Sequence, residues 1–299
     1  MRMLPPQNDS KCAIVFLVIN RIESLPILAI NSVLANSDSP IFIGTIRAID
    51  RENLPTDDRI NYVDLSEDAA RLGIPITKGV YESFEKDEFF SLVQLKWALF
   101  KKVSEISKCE IMVYNDIDVF WLRPLLPALT NAFAISSKVQ VMIQHFSWTP
   151  GQPQLCMGFV AFRLGNYFDN LIERAARLHT QMLETNPRSG DDDVITRLYN
   201  SEEFPQEIQL LPQTTFPVGN LLNLFSKRDE FPGLRPFDPF IFHSNFVVGL
   251  RKKLLITKIA YRQHGLKLTG INSFASTLMS LEIMSYRMFH LLRRSLKHK

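Results

Sequence analysis

Two kinds of hydrophobic pattern alternate along the first part of the chain. Continuous apolar runs, such as "CAIVFLVIN" at residues 12–20, are typical of strands covered on both faces of a parallel sheet. Between such runs, apolar residues recur with the 3.6-residue spacing of amphipathic helices. The predicted strands are 12–20, 41–46, 60–65 and the run ending at Asn115, and the predicted helices begin near Leu25 and at Asp87, the second continuing to residue 106. This order predicts a doubly wound α/β layer.

The middle of the chain continues the alternation. "VQVMIQH" (139–145) and "CMGFVAFR" (156–163) are predicted strands. "YFDNLIERAARLHTQMLE" (167–184) predicts a long amphipathic helix, and "DVITRLYN" (193–200) a short one. Residues 200–239 are rich in proline and phenylalanine with little periodicity, so we expect an irregular segment packed over the functional site.

Composition narrows the class of protein. The chain has 299 residues, of which 46% are hydrophobic and 22% charged, which is typical of a globular protein. A net charge of +3 is too small to indicate nucleic acid as a partner. The three cysteines have no metal-binding spacing and favour reduced, buried thiols. Without a signal peptide or an uncharged apolar run of membrane-spanning length, we expect a soluble, cytoplasmic protein.

The C-terminal stretch 275–299 carries the most uneven charge. Apolar residues alternate there with arginines and lysines, and its last part has no acidic residue. This pattern is typical of an interfacial helix on anionic lipid, which would make the protein peripheral on the inner face of a membrane. A helix packed on its own domain is the alternative.

The stretch "IMVYNDIDVFWLRPL" (111–125) sets two carboxylates, Asp116 and Asp118, at the end of an apolar strand. An unpaired buried charge is costly, so the pair either caps the strand end or faces a cation. Ligands of doubly wound sheets bind outside the carboxyl ends of the strands. Paired carboxylates at such an end suit Mg²⁺ or Mn²⁺. A second pair, Asp191 and Asp193, follows a loop and is predicted to cap a helix.

The same stretch resembles the metal-binding motif of the nucleotide-diphospho-sugar transferases, glycosyltransferases of the GT-A fold. Three later segments resemble the family in the same order, namely "CMGFVAFR", "DDDVITRLY" and "FHSNFVVGLRKK". The resemblance implies a GT-A-like, Rossmann-like α/β fold with a mostly parallel central sheet flanked by helices. Residues 1–265 would form this domain, with a nucleotide-sugar half at about 11–125 and an acceptor and catalytic half at about 126–265. Residues 266–299 would be a basic amphipathic helical tail.

The resemblance also implies the residues of the donor site. Asp116 would contact the ribose and the metal, and Asp118 and His243 would be metal ligands. Lys252 or Lys253 would contact the diphosphate as a point charge. The metal would be Mn²⁺ or Mg²⁺.

The sugar side departs from the family pattern. Asp191 matches the aspartate near the sugar, whereas Asp192 stands where glutamine is usual. The resemblance implies that one of these two candidate catalytic residues stabilises positive charge on the sugar ring or aligns the acceptor. Cys156 and Met157 replace the usual Asn-Thr before Gly158. This glycine either leaves room for substrate or marks a bulge. Two further residues, Gln144 and His145, either line the acceptor side or only end a strand.

The implied function is transfer of a hexosyl or pentosyl group from a nucleotide-diphosphate sugar, expected to be UDP-linked, to a hydroxyl on a glycan, lipid-linked or protein acceptor. The family resembled retains the anomeric configuration. One alternative is a haloacid-dehalogenase-like phosphohydrolase with Asp116 as nucleophile and Asp118 as acid and base. Phe120 stands where that class has Thr or Val, and "GDDDV" has no apolar strand before it. Another alternative is a non-catalytic GT-A-like binding module.

Overall fold

The first apolar run forms strand β1 (Cys12–Leu17), which is buried along its whole length because its side chains enter two cores in alternation. Cys12, Ile14 and Phe16 belong to the core on one face of the sheet, and Ala13 and Val15 to the core on the other. A computed structural model of the chain describes residues 11–19, 24–47, 54–74, 87–149, 152–201, 207–218, 239–245, 253–254 and 257.

The other strands are β2 (Ile41–Thr45), β3 (Ile60–Asp64), β4 (Ile111–Asn115), β5 (Val119–Trp121), β6 (Val141–Thr149), β7 (Gln152–Arg163), β8 (Ile208–Leu210) and β9 (Ile241–His243). The helices are α1 (Ser24–Leu34), α2 (Ser66–Arg71), α3 (Asp87–Val93), α4 (Leu95–Ile106), α5 (Leu126–Ile135), α6 (Asn166–Thr185) and α7 (Asp191–Asn200).

Seven strands form the central sheet in the order β3-β2-β1-β4-β7-β6-β8. The pairs from β3 to β4 are parallel, β7 runs antiparallel to both of its neighbours, and β8 is parallel to β6. Helices α1 and α5 pack on one face, and α4, α6 and α7 on the other. The predicted α/β class with a mostly parallel central sheet flanked by helices is therefore confirmed.

Several elements differ from the sequence-based expectation. The single helix predicted over residues 87–106 is divided at Gln94 into α3 and α4. Helices α2 and α5 were not predicted. Within the segment expected to be irregular, β8 pairs with β6 at the sheet edge, because three residues gain strand geometry only from their partner.

Part of the prediction falls outside the described residues. This applies to the tail at 266–299, to its proposed membrane segment 275–299, to Lys252 and to residues 219–238. The division into two halves and the tail therefore stays a prediction. Among the helices that the structure describes, none combines the length and the apolar character needed to cross a bilayer.

Candidate active site

The polar residues after β4 form a turn between two buried strands. Asn115 is fully buried and its Nδ2 donates to the carbonyl oxygens of Asp116 and Val119, both at 2.9 Å. Its Oδ1 accepts a hydrogen bond of 2.8 Å from Nε1 of Trp121. These hydrogen bonds pair the polar atoms of the Asn115 side chain within the turn. The carboxylates of Asp116 and Asp118 are therefore left to face other partners.

A second, two-stranded sheet brings a distant segment to this turn. Strand β9 pairs antiparallel with β5, with His243 opposite Val119, and the N–H of Ser244 donates to the carbonyl oxygen of Asp118 at 3.0 Å. Nε2 of His243 consequently lies 3.5 Å from Oδ1 of Asp118. Asp116, Asp118 and His243 each offer one potential ligand atom, and these three atoms lie within 4.8 Å of one another. In the described part of the chain, no other group of three histidine, cysteine or acidic residues comes this close together.

These three side chains fit a hard divalent cation. Two carboxylates and an imidazole are suitable ligands for Mn²⁺, and carboxylates suit Mg²⁺. Nδ1 of His243 is hydrogen-bonded at 3.0 Å to Oε1 of Gln144, an outer partner of the kind that orients metal-binding histidines. The arrangement brings together the three residues that the sequence motifs suggested as metal ligands.

Gly158 on β7 lies directly against the imidazole. Its carbonyl oxygen accepts a 2.8 Å hydrogen bond from the N–H of Asp116. A Cβ at this position would lie 2.3 Å from Cε1 of His243 and 3.3 Å from Oδ2 of Asp116. The space over Gly158 is thus taken by His243, and the pairing of β6 with β7 shifts register here, as the bulge interpretation expects. A contact of Gly158 with substrate stays a prediction.

We expect Gly158→Ala to destabilise the protein by about 1–3 kcal/mol, because the added methyl group overpacks a filled site. Displacement of His243 should also weaken Mn²⁺ binding. Urea denaturation and calorimetric titration with Mn²⁺ measure the two effects. The matched control is Gly190→Ala, whose Cβ would meet its nearest neighbour, Phe90, at an ordinary 3.7 Å. Equal costs for the two variants would contradict the role given to Gly158.

Lys96 on α4 is the main site residue absent from the sequence-based set. It is buried, and its Nζ lies 3.1 Å from Oδ1 of Asp116 and 2.6 Å from Oδ2 of Asp191. Burial lowers the pKa of Lys96, but the two carboxylates outweigh it and raise that pKa well above its usual value. The charged lysine therefore links the β4 turn to the start of α7. A signal existed, since a lysine on an otherwise apolar helix face requires a buried partner.

The three aspartates that begin α7 have different partners. Asp191 pairs with Lys96, Oδ1 of Asp192 accepts a 2.6 Å hydrogen bond from the N–H of Met157, and Oδ2 of Asp193 accepts one of 2.9 Å from the N–H of Gly190. Asp193 thus caps the helix as predicted, whereas Asp191 faces the site. Burial, with the charge of Asp191, raises the pKa of Asp192 well above its usual value.

A buried hydrogen-bonded chain holds α4 and α7 together. Nδ1 of His179 accepts a hydrogen bond of 2.9 Å from Nε1 of Trp97, and its Nε2 donates to the carbonyl oxygen of Ser189 at 3.0 Å. Trp97 follows Lys96, and Ser189 precedes the helix that begins with Asp191. The neutral imidazole therefore stabilises the relative position of Lys96 and Asp191.

This chain predicts a pH dependence of stability. Burial is the main cause that lowers the pKa of His179, so the native state favours the neutral ring. In the unfolded chain the histidine pKa is about 6.5. Between the two values the unfolded state binds more protons, so stability should fall as pH drops below about 6.5. The free energy of unfolding at about pH 7.5 and about pH 5.5 should differ less in His179→Gln than in the wild type. Equal differences would contradict this.

Three further residues were suggested from the sequence as parts of the site, namely Lys253, Gln144 and His145. Nζ of Lys253 pairs with Oδ2 of Asp118. Burial raises the pKa of Asp118, but the charge of Lys253, together with the adjacent His243, outweighs it and holds that pKa well below its usual range. Gln144 is fully buried behind His243, so it does not line an acceptor surface. His145 is half-buried, and burial lowers its pKa.

Fold and site together define an α/β protein with a candidate cation site at the carboxyl end of a strand in a mostly parallel sheet. Over residues 62–256 the sequence matches the nucleotide-diphospho-sugar transferase family. The chain belongs to this family, as the four motifs implied. Membership favours the transferase over the phosphohydrolase alternative. Comparison of the sequence with curated proteins gives no match.

Solved structures share the fold. The galactosyltransferase LgtC in complex with donor and acceptor sugar analogs superposes with a TM-score of 0.54 at 15% identity, covering 87% of this chain and 98% of that one. Mouse xyloside xylosyltransferase 1 gives 0.50 at 10% identity, over 78% and 97%. The glycosyltransferase GlyE of Streptococcus pneumoniae TIGR4 gives 0.50 at 14% identity, over 93% and 64%. The fold is therefore the GT-A fold of these glycosyltransferases.

Proposed function

We propose that the protein is a divalent-metal-dependent glycosyltransferase that moves a sugar from a nucleotide-diphosphate donor, expected to be UDP-linked, to a hydroxyl acceptor. Family membership supplies the class of reaction. The observation that carries the metal dependence is the cluster of Asp116, Asp118 and His243 at the end of β4. Mn²⁺ or Mg²⁺ bound there would neutralise charge on the departing diphosphate.

On the donor side, this chain supplies both anionic and cationic groups. Asp116 is the most exposed member of the cluster, with 31% of its side chain accessible, which suits an additional contact with the ribose. Lys253 pairs with Asp118 and keeps 26% of its side chain accessible, so it can also stabilise the diphosphate as a point charge. Lys252, outside the described residues, is the alternative for that contact.

On the sugar side, Asp191 and Asp192 are the candidate catalytic residues. Lys96 holds Asp191 beside Asp116, next to the region where a bound donor would place its sugar. The half-buried Asp192, whose pKa is raised, is suited to donate a hydrogen bond, as the amide of a glutamine at this position could. We propose that these two groups orient the sugar and the acceptor hydroxyl, and that the anomeric configuration is retained.

The donor and the transferred group are open to direct test. The solved relatives include a galactosyltransferase and a xylosyltransferase, so the panel contains UDP-hexoses and UDP-pentoses. Purified protein is incubated with Mn²⁺ and each donor, with and without EDTA, and release of the nucleoside diphosphate is measured. We expect turnover of at least one donor, abolished by EDTA. Proton NMR of the product reports the anomeric configuration, and an inverted anomer would contradict retention.

The same assay separates the alternatives. Metal-dependent phosphatase activity without turnover of any sugar nucleotide would favour the phosphohydrolase. Binding of a sugar nucleotide without turnover, in the presence of glycan and lipid-linked acceptors, would favour a binding module.

A further inference from the structure

Gln144 on β6 is a fully buried amide whose two ends have different partners. Its Nε2 donates to the carbonyl oxygens of Pro217 at 2.9 Å and Phe216 at 3.3 Å. Its Oε1 lies 3.0 Å from Nδ1 of His243. All the polar atoms of this side chain therefore have partners, although the residue has no accessible surface.

These partners determine which way the amide points. Carbonyl oxygens only accept hydrogen bonds, so the NH₂ group must face Phe216 and Pro217. The reversed amide would set its oxygen against two carbonyl oxygens and leave both without a donor, at a cost of about 1–3 kcal/mol for each buried group. Oε1 must consequently face His243, and since this oxygen is also an acceptor, Nδ1 of His243 must carry a hydrogen.

A protonated Nδ1 leaves the lone pair of a neutral imidazole on Nε2. Nε2 is the ring nitrogen directed at the carboxylates, 3.5 Å from Oδ1 of Asp118. The opposite tautomer would place a hydrogen on Nε2, where it would block a metal, and would leave the buried Oε1 of Gln144 without a donor. The network thus selects the tautomer that can act as a ligand.

We infer that Gln144 is a positioning residue that holds His243 as the Nδ1–H tautomer, with Nε2 directed at the site formed with Asp116 and Asp118. The part of this inference that concerns metal affinity rests on the proposed function, whereas the tautomer does not. The backbone supports the role, because the β6–β7 register shifts immediately before Gln144, and Gly158 on β7 lies against Cε1 and Nε2 of the ring. A neutral amide also orients the ring without adding a third negative charge to the two carboxylates.

The tautomer is tested in metal-free protein by two-dimensional ¹H–¹⁵N NMR of the histidine side chains. The chain has 6 histidines, and the spectrum of His243→Asn identifies the signals of residue 243 by their absence. At a pH at which the spectrum shows a neutral ring, we expect Nδ1 to have the chemical shift of a protonated nitrogen and Nε2 that of an unprotonated one. The reverse pattern in the wild type would overturn the inference, whether or not the protein binds a metal.

Metal affinity is tested with Mn²⁺ alone, by electron paramagnetic resonance of the free ion. Loss of the hydrogen-bond partner of a metal-binding histidine typically weakens metal binding by about 10–100-fold, and we expect this for Gln144→Leu. Gln144→Glu keeps an oxygen facing Nδ1, and its second oxygen, when protonated, can donate to the carbonyl oxygens of Phe216 and Pro217 as the amide does. This buried carboxyl should be protonated, so the variant should retain the tautomer and most of the affinity. The matched control is Gln209→Leu, at an exposed position of β8 beside β6. Its affinity should equal that of the wild type.

Each outcome separates the inference from the proposed function. Wild-type affinity in Gln144→Leu would overturn the positioning role. Absence of Mn²⁺ binding in the wild type would overturn the metal-dependent function, while the NMR result still decides the tautomer. If Gln144→Leu does not fold, loss of the Nδ1–H tautomer in Gln144→Glu, which preserves the shape of the side chain, would overturn the inference, and its retention would support it.

Discussion

Asp118→Asn is expected to lower kcat of sugar transfer by about 10²–10³-fold, the size of effect seen when one preorganised electrostatic group is removed from an active site. The change keeps the shape of the side chain but removes the negative charge that faces His243 and Lys253. A neutral amide is a weaker ligand for a hard cation than a carboxylate. Mn²⁺ affinity should therefore fall together with turnover of the sugar nucleotide.

The control for this substitution is Asp38→Asn, because the side chain of Asp38 is 99% accessible. Circular dichroism of both variants checks that they are folded. Unchanged turnover in Asp118→Asn, measured at saturating donor, would show that Asp118 is not a metal ligand and would remove the main support for a metal-dependent reaction.

Lys96→Met is expected to reduce the free energy of unfolding by about 3–5 kcal/mol, the cost typical of breaking a buried ion pair from one side. Methionine fills a similar volume, so the loss would come from Asp116 and Asp191, which would face each other without the cation between them. The side chain of Asp191 is 11% accessible and that of Asp116 is 31% accessible. Water therefore stabilises the unpaired charge of Asp116 better than that of Asp191. Urea denaturation measures the effect.

Two further variants test the electrostatic origin of this cost. Lys101→Met lies on the exposed side of the same helix and should change stability little. The double variant Lys96→Met with Asp191→Asn removes one of the two unpaired charges and should recover part of the lost stability. No recovery in the double variant would indicate that Lys96 acts through packing of its aliphatic chain.

The elements that sequence patterns predicted well are those whose environment is the same along their whole length. Strand β1 is buried on both faces and reads as an uninterrupted apolar run, and α6 has one apolar face and one charged face. Two of the elements that were missed are short, although α5, which was also missed, has ten residues. Strand β8 has three residues and depends on β6 for its geometry, and α2 has only six residues, too few for helical periodicity to be recognised.

The residues of the candidate site also differ in how clearly the sequence marks them. Asp116 and Asp118 are conspicuous in the sequence because charge at the end of an apolar strand is unusual. His243 carries no such local signal, and only the ordered resemblance to a family placed it with them. The small β5–β9 sheet then accounts for their proximity, since Val119 and His243 are paired across it.

From its residues alone, the chain specified the α/β layering and the strand end that carries the carboxylates, because periodicity and unusual charges are recorded by near neighbours. The class of reaction came from the resemblance of four ordered motifs to a family. The pairing of Lys96 with Asp191 and of Gln144 with His243 emerged from the folded chain. These partners are 95 and 99 residues apart, and a polar side chain shows its role only when burial removes water and leaves one partner within reach.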